Sequence, residues 1–513
     1  MYIRNEDTIY APATVPGTGA ISVIRISGPE ALPIADKVIA CRNGKISDSK
    51  GYTIRFGSVS APDGHLIDEV LASVYRAPKS YTGEDSVEIS CHASSYIVSE
   101  IMALLYTAGA RAAEPGEFTQ RAFMNGKMDL AQAEAVADVI ASQNAAAHRI
   151  ALRQMKGGFS LELKDMRSEL LELVSLMELE LDFSEEDVEF ADRSRLNNLL
   201  VDIISHVSRL IDSFRLGNAI KNGVPVAIAG ATNTGKSTLL NALLGEDRAI
   251  VSDIHGTTRD TVEETLNIDG VLFRFIDTAG LRNTSEVVEK IGIERTFKKI
   301  SEASIVLGMV DLTRNLQTAT DTIREVLDKV DIDAQKLIIL LNKCDILDFN
   351  KNVIIANNLV SLLDNKHIKT KLITSYTELT GLDNNNESSQ EISEKRTEDS
   401  CGTANSRPTV PLIQISAKTG IGLAELRAYL AASQRDLIGD SDTTLVTNQR
   451  HVQALTDART SLLRVRDGLS SGLPTDLAAQ DIREAIYHIG SIVGEISTDE
   501  VLGNIFQNFC IGK

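Results

Sequence analysis

Gly230, Gly235, Lys236 and Ser237 stand in the spacing G-x4-G-K-S within "VAIAGATNTGKSTLLNALLG", after a short apolar run and before a helical one. That setting lets loop N–H groups and a helix N-terminus cradle phosphates. Lys236 is expected to reach the β- and γ-phosphates, and the Ser237 hydroxyl to ligate Mg2+. Three further elements follow in order. "VLFRFIDTAG" ends in Asp277, Thr278, Ala279 and Gly280, where a carboxylate can hold the Mg2+ shell and a glycine can sense a γ-phosphate. "LIILLNKCD" ends in Asn342, Lys343, Cys344 and Asp345, and a carboxylate there can accept from N1–H and the 2-amino group of guanine, which adenine does not offer. "LIQISAKTG" supplies Ser416, Ala417 and Lys418 to back the base. The series predicts a guanine nucleotide site. "VSDIHGTTRD" before Asp277 reads as a switch segment, with Thr258 as the second hydroxyl ligand of Mg2+.

Many GTPases orient the attacking water with a glutamine just after D-x-x-G. Here the position holds Leu281, which cannot polarise water. Arg282, Glu286, Glu289 and Glu294 lie close by in "GLRNTSEVVEKIGIER", and position alone does not choose among them.

The elements that must carry these residues are legible in outline. A βα pattern runs from about Val224 to about residue 435, and long helical segments flank it on both sides. The simplest arrangement is one helical domain in two sequence halves with an α/β domain inserted between them. The first 120 or so residues read as mixed α/β, with alternating strands "AISVIRIS" and "SVEISCH" and a helix in "SYIVSEIMALLYTAGA". "KMDLAQAEAVADVIASQNAAAHRIALRQM" reads as one long helical stretch. Residues 383–406 hold one large aliphatic side chain, Ile392, and read as a disordered loop.

Composition narrows the function classes. A 43% apolar and 24% charged chain of 513 residues is globular and long enough for about three domains. A net charge of −19 argues against gripping nucleic acid over the whole surface, leaving a local basic patch or a basic partner to bring RNA close. Trp is absent, so broad base-stacking platforms are not expected. Five cysteines stand at positions 41, 91, 344, 401 and 510 with no C-x-x-C pair, which suggests neither a disulfide framework nor a zinc site and fits a cytoplasmic protein. No signal peptide and no membrane span are expected. Cys510 is fourth from the end, but Gly512 and Lys513 fit prenylation poorly. A packed thiol and a thiol delivered to an active site remain.

The segments "TIYAPATVPGTGAISVIRISG", "SYTGEDSVEISCH", "EPGEFTQRAFMNGKMDLAQAEAVADVI", "DIHGTTRD", "DTAGLR", "EKIGIER" and "FCIGK" together resemble the MnmE (TrmE) family of tRNA-modification GTPases over nearly the whole chain. The resemblance implies a multidomain α/β protein. Its parts are an α+β folate-binding and dimerisation domain (1–122), a helical domain in halves 123–222 and 438–513, and an inserted Ras-like P-loop α/β G domain (223–437). It implies a homodimer in a heterotetramer with the flavoprotein MnmG, which brings FAD and NADH. With tRNA as substrate, the complex would modify C5 of the wobble uridine, using a one-carbon unit from 5-formyl or 5,10-methylene tetrahydrofolate. GTP contacts are implied at Asn233, Thr234, Gly235, Lys236, Ser237 and Thr238, at Ser252, Asp253, Ile254, His255, Gly256, Thr257 and Thr258, and at the D-x-x-G, N-K-x-D and S-A-K residues above. K+ is implied at Asn233, Ser252, Ile254 and Thr257, with Glu289 orienting water. The folate is implied at Arg25, Glu88, Lys127 and Lys513, and Cys510 is taken as a catalytic thiol. His255 and Thr232 depart from the family's usual small residue and proline without removing a ligand. A ribosome-assembly GTPase shares the G motifs but predicts an attached basic RNA-binding module. A folate-dependent one-carbon transferase with a regulatory GTPase is the third reading.

Overall fold

A computed structural model describes residues 7–182, 193–245, 264–276, 300–332, 335–347, 355–356, 359–360, 369–373, 409–434, 444–471, 475–495, 499–507, 509 and 512. The chain divides into two compact units. One comprises residues 1–142, 148–214 and 444–513, the other 143–147 and 215–443.

The first unit opens with a seven-stranded sheet in the order β3-β4-β5-β6-β2-β1-β7. Its strands are β1 (Ile9–Pro12), β2 (Ile21–Ser27), β3 (Ile39–Cys41), β4 (Thr53–Ser60), β5 (Leu66–Tyr75), β6 (Ser86–His92) and β7 (Arg111–Ala112). Alternation along β2, β5 and β6 sends Ile24, Ile26, Val70, Ala72, Val74, Val87 and Ile89 to one face. There they meet Leu32, Ile34, Ile101 and Leu105 of helices Ala31–Val38 and Ser95–Thr107. The opposite face carries Ile21 and Arg25 from β2, Ile54 and Phe56 from β4, Leu71 from β5 and Glu88 from β6. Ile21, Ile54, Phe56 and Leu71 are exposed there.

Residues from two stretches far apart in the sequence share one helical core. Leu163, Met166 and Leu170 of helix Gly158–Asp182 and Leu200, Ile203 and Val207 of helix Arg193–Asn222 pack with Leu455 and Leu462 of Gln449–Ser470 and with Ile482 and Ile489 of Thr475–Val493. The stretch expected as one long helix is broken. Helix Leu130–Ala141 is started by a capping box between Asp129 and Gln132 and stops at Ser142; a second helix, Ala145–Met155, follows. Asn144 causes the restart: its Oδ1 accepts from Ala147 N at 2.7 Å and its Nδ2 donates to Ile220 O at 3.1 Å.

The second unit holds β8 (Val224–Ala229), β9 (Glu264–Ile268), β10 (Val271–Phe275), β11 (Ile305–Asp311), β12 (Lys336–Asn342), β13 (Lys369–Ile373) and β14 (Thr409–Gln414). Their order is β13-β14-β12-β11-β8-β10-β9, parallel except for the antiparallel β9–β10 hairpin. The unbroken apolar runs of β11 and β12 are buried on both faces, as a parallel sheet requires. No helix among the described residues is long and apolar enough to cross a membrane.

Candidate functional site

The loop after β8 leads directly into helix Lys236–Gly245. Asn233 holds a left-handed φ of 63°, a conformation asparagine tolerates better than most residues. Gly235 has φ +100°, and a Cβ there would stand 2.4 Å from Asn342 Nδ2, so both conformation and space require glycine. Thr234 is buried and its hydroxyl donates to Ala231 O at 2.9 Å. The Lys236 ammonium donates to the carbonyls of Gly230 and Ala231, both at 2.8 Å, and burial pulls its pKa below the usual lysine range. Ser237 lies half-buried in the first turn of the helix and Thr238 is exposed.

The loops after β12 and β14 join this turn. Asn342 is 2% exposed; its Nδ2 donates to Thr234 O at 2.7 Å and its Oδ1 accepts from Ala417 N at 3.0 Å. The N-K-C-D asparagine therefore ties the phosphate loop to the S-A-K loop. Ser416 is buried, and its Oγ accepts from Thr419 N at 3.2 Å. Asp345 and Lys418 are exposed. The three loops meet at the carboxyl ends of parallel strands, where α/β sheets bind ligands.

Two side chains that motif reading missed also stand here. Asp311 ends β11 and is 4% exposed. Its carboxylate accepts from Lys343 Nζ at 2.6 Å and from the Thr313 hydroxyl and amide at 2.6 and 2.9 Å. Burial alone would raise its pKa; the Lys343 ammonium and Thr313 hold it below the usual carboxylate value. Arg314 donates to Thr232 O at 2.9 Å. The available signal was a carboxylate closing the apolar run "IVLGMVD".

Comparison with known proteins agrees with this geometry. Residues 8–127 match the description "GTP-binding protein TrmE N-terminus" and residues 130–510 match "MnmE helical domain". A protein of Parabacteroides distasonis named tRNA modification GTPase MnmE is 49% identical over 512 residues, covering 99% of this chain and all of the relative. One of Bacteroides fragilis with the same name is 49% identical over 511 residues, with 99% and 100% covered. The chain belongs to the MnmE family of tRNA modification GTPases.

The folate residues implied by the MnmE resemblance are brought together in part. Arg25 and Glu88 are cross-strand partners on β2 and β6. The Arg25 Nε and Nη2 donate to Glu88 Oε1 at 2.9 and 2.8 Å, and the Tyr75 hydroxyl donates to Glu88 Oε2 at 3.4 Å. The Arg25 guanidinium also lies 5.0 Å from the Tyr81 ring centroid and 5.6 Å from that of Phe118. Glu88 is thus a paired group beside a buried Ser86. Lys127 is exposed and donates to Pro78 O at 2.9 Å. The chain terminus reaches this domain: a Cβ on Gly512 would stand 2.0 Å from Pro12 O, and Pro12 pairs with Ile24, next to Arg25. Ser252, Asp253, Ile254, His255, Gly256, Thr257, Thr258, Asp277, Thr278, Ala279, Gly280, Glu289, Cys510, Lys513 and the 383–406 tract lie outside the described residues.

Proposed function

We propose that this tRNA modification GTPase is K+-stimulated and acts with the flavoprotein MnmG to add an aminomethyl or carboxymethylaminomethyl group to C5 of the wobble uridine of certain tRNAs, with the one-carbon unit taken from a tetrahydrofolate. The observation that supports the nucleotide half is the junction of Asn342 with Thr234 and Ala417, which ties the loop carrying G-x4-G-K-S to those carrying N-K-C-D and S-A-K. The hydroxyl of Ser237 with that of Thr258, and the amide oxygen of Asn233 with Ser252, Ile254 and Thr257, are all-oxygen donor sets suited to hard cations. Mg2+ and K+ bound there would offset charge developing on the phosphates. Glu289 takes the water-orienting role that Leu281 cannot fill.

The Arg25–Glu88 pair supports the folate half. A carboxylate beside a guanidinium offers both an acceptor for a pterin's amino edge and a donor for its oxo group. The exposed apolar residues Ile21, Ile54, Phe56 and Leu71 on the open sheet face support a homodimer through the N-terminal domain, within a heterotetramer with MnmG. FAD and NADH enter through that partner, and the cytoplasm is the proposed compartment. The proposed domains are 1–122, 123–222 with 438–513, and 223–437.

GTP hydrolysis compared in K+ and in Na+ tests the reading. The rate should be high in K+ and lost in Na+ alone; Asn233→Ala should abolish the difference while keeping most nucleotide affinity. Equal rates in the two salts refute K+ stimulation. Glu289→Ala should lower the rate by roughly 100-fold or more with little change in GTP affinity.

A further inference from the structure

The order β12-β11-β8 places the end of β11 between the loops that follow β8 and β12. The phosphate loop leaves β8, and the N-K-C-D loop leaves β12. Register sets the height: Gly308 of β11 pairs with Ala229 at the end of β8, and Asp311 pairs with Asn342 at the end of β12. The Asp311 carboxylate, 4% exposed, therefore lies buried between the bases of both loops.

Its partners come from both sides. On the base side, Lys343 holds an unfavourable φ of 66° and its ammonium lies 2.6 Å from Asp311 Oδ2. A bulky residue in the left-handed region needs an anchor, and this ion pair is one. On the phosphate side, Arg314 Nε lies 3.7 Å from the same oxygen, while its Nη2 donates to Thr232 O at 2.9 Å. A carboxylate serving only to close the strand would need no more than the Thr313 amide and hydroxyl. Two cations that each lead to a different nucleotide loop exceed that need. Thr232 precedes Asn233, so a grip on the Thr232 carbonyl fixes the peptide plane that sets the left-handed turn at Asn233.

We propose that Asp311 and Arg314 are positioning residues for the guanine nucleotide: Asp311 holds Lys343 beside the base and orients Arg314, and Arg314 holds the Thr232–Asn233 turn over the phosphates. The two sides then differ in what they control. The base side sets affinity in every nucleotide state. The phosphate side sets the geometry in which the γ-phosphate is cleaved.

The test uses the full-length chain at one fixed K+ concentration, so that K+ dependence is not assumed. Binding of a fluorescent GDP and GTP hydrolysis at saturating GTP are measured for Arg314→Ala, Arg314→Lys, Asp311→Asn and the double variant Asp311→Asn with Arg314→Ala. Arg314→Ala should lower kcat about fivefold with GDP affinity within about twofold, the scale of one lost hydrogen bond at a reacting group. Arg314→Lys, which keeps a donor for Thr232 O, should recover at least about half of kcat. Asp311→Asn should weaken GDP binding roughly tenfold and also lower kcat, because both cations lose their anchor. The double variant should have a kcat close to that of Asp311→Asn alone, since both changes break one chain of contacts. An unchanged kcat in Arg314→Ala overturns the proposal. So does a loss in Arg314→Ala that falls equally on GDP affinity, kcat and thermal stability, or a double variant whose kcat losses simply multiply.

Discussion

Asn342 and Thr234 are joined by a buried 2.7 Å hydrogen bond, although 108 residues separate them in sequence. The asparagine of the base-reading motif spends its side chain on the protein, since its second atom accepts from Ala417 N. Its two side-chain bonds tie the loops after β8, β12 and β14 to one another.

Asn342→Ala leaves the Thr234 carbonyl and the Ala417 amide without these partners in a buried place. Each such group costs about 1–3 kcal/mol. The variant should therefore melt lower and bind GDP at least roughly tenfold more weakly. Calorimetry with GDP and a thermal melt check both. A normal melt with normal binding would show that the loops hold without it.

A second prediction concerns the tail. Gly512 has φ +95°, and any side chain there meets Pro12 O. Gly512→Ala should lift the terminus from β1 and abolish wobble modification while GTP hydrolysis stays near normal. Cys510→Ser, which keeps the seat intact, separates seat from thiol. Full modification with the serine variant would assign the cysteine to packing; loss of modification would assign it to chemistry.

Another follows from Glu134, which ties helix Leu130–Ala141 to helix Gln449–Ser470. It accepts from Arg450 Nε and Nη2, both at 3.0 Å, and shares a 2.6 Å bond with His451 Nε2. Burial pushes its pKa up, but His451 and Arg450 outweigh burial and bring it down from 4.5 to about 2. A depressed carboxylate stabilises the fold above its unfolded pKa, and that contribution disappears as pH falls through the folded one. The stability gap between the wild type and Glu134→Gln should be full above about pH 5 and should close toward pH 2. Denaturant melts across that range check it; a gap independent of pH would contradict it.

The motifs that sequence resolved are local. The strand–loop–helix around Lys236 and the strand ends at Asn342 and Ser416 each specify their own geometry within about ten residues. What escaped depends on register or on distant partners. Arg25 and Glu88 are 63 residues apart, and only the β2–β6 pairing makes them one group. The break before Ala145 was hidden because alanine-rich segments favour helix throughout, while the interruption is imposed by Asn144 bonding to Ile220. Asp311 was visible as a charge ending an apolar strand. Its ion-pair partners Lys343 and Arg314 follow only from the strand order that sets it between two loops.

Mass analysis of wobble uridines in tRNA reads out the modification itself. A strain lacking the protein is complemented with the wild type, with Lys236→Ala and with Arg25→Ala. Deletion should remove the C5 modification, the wild type should restore it, and neither variant should, if Lys236 holds phosphate and Arg25 the folate. Wobble nucleosides unchanged on deletion would refute tRNA modification at this base and favour a ribosome-assembly switch.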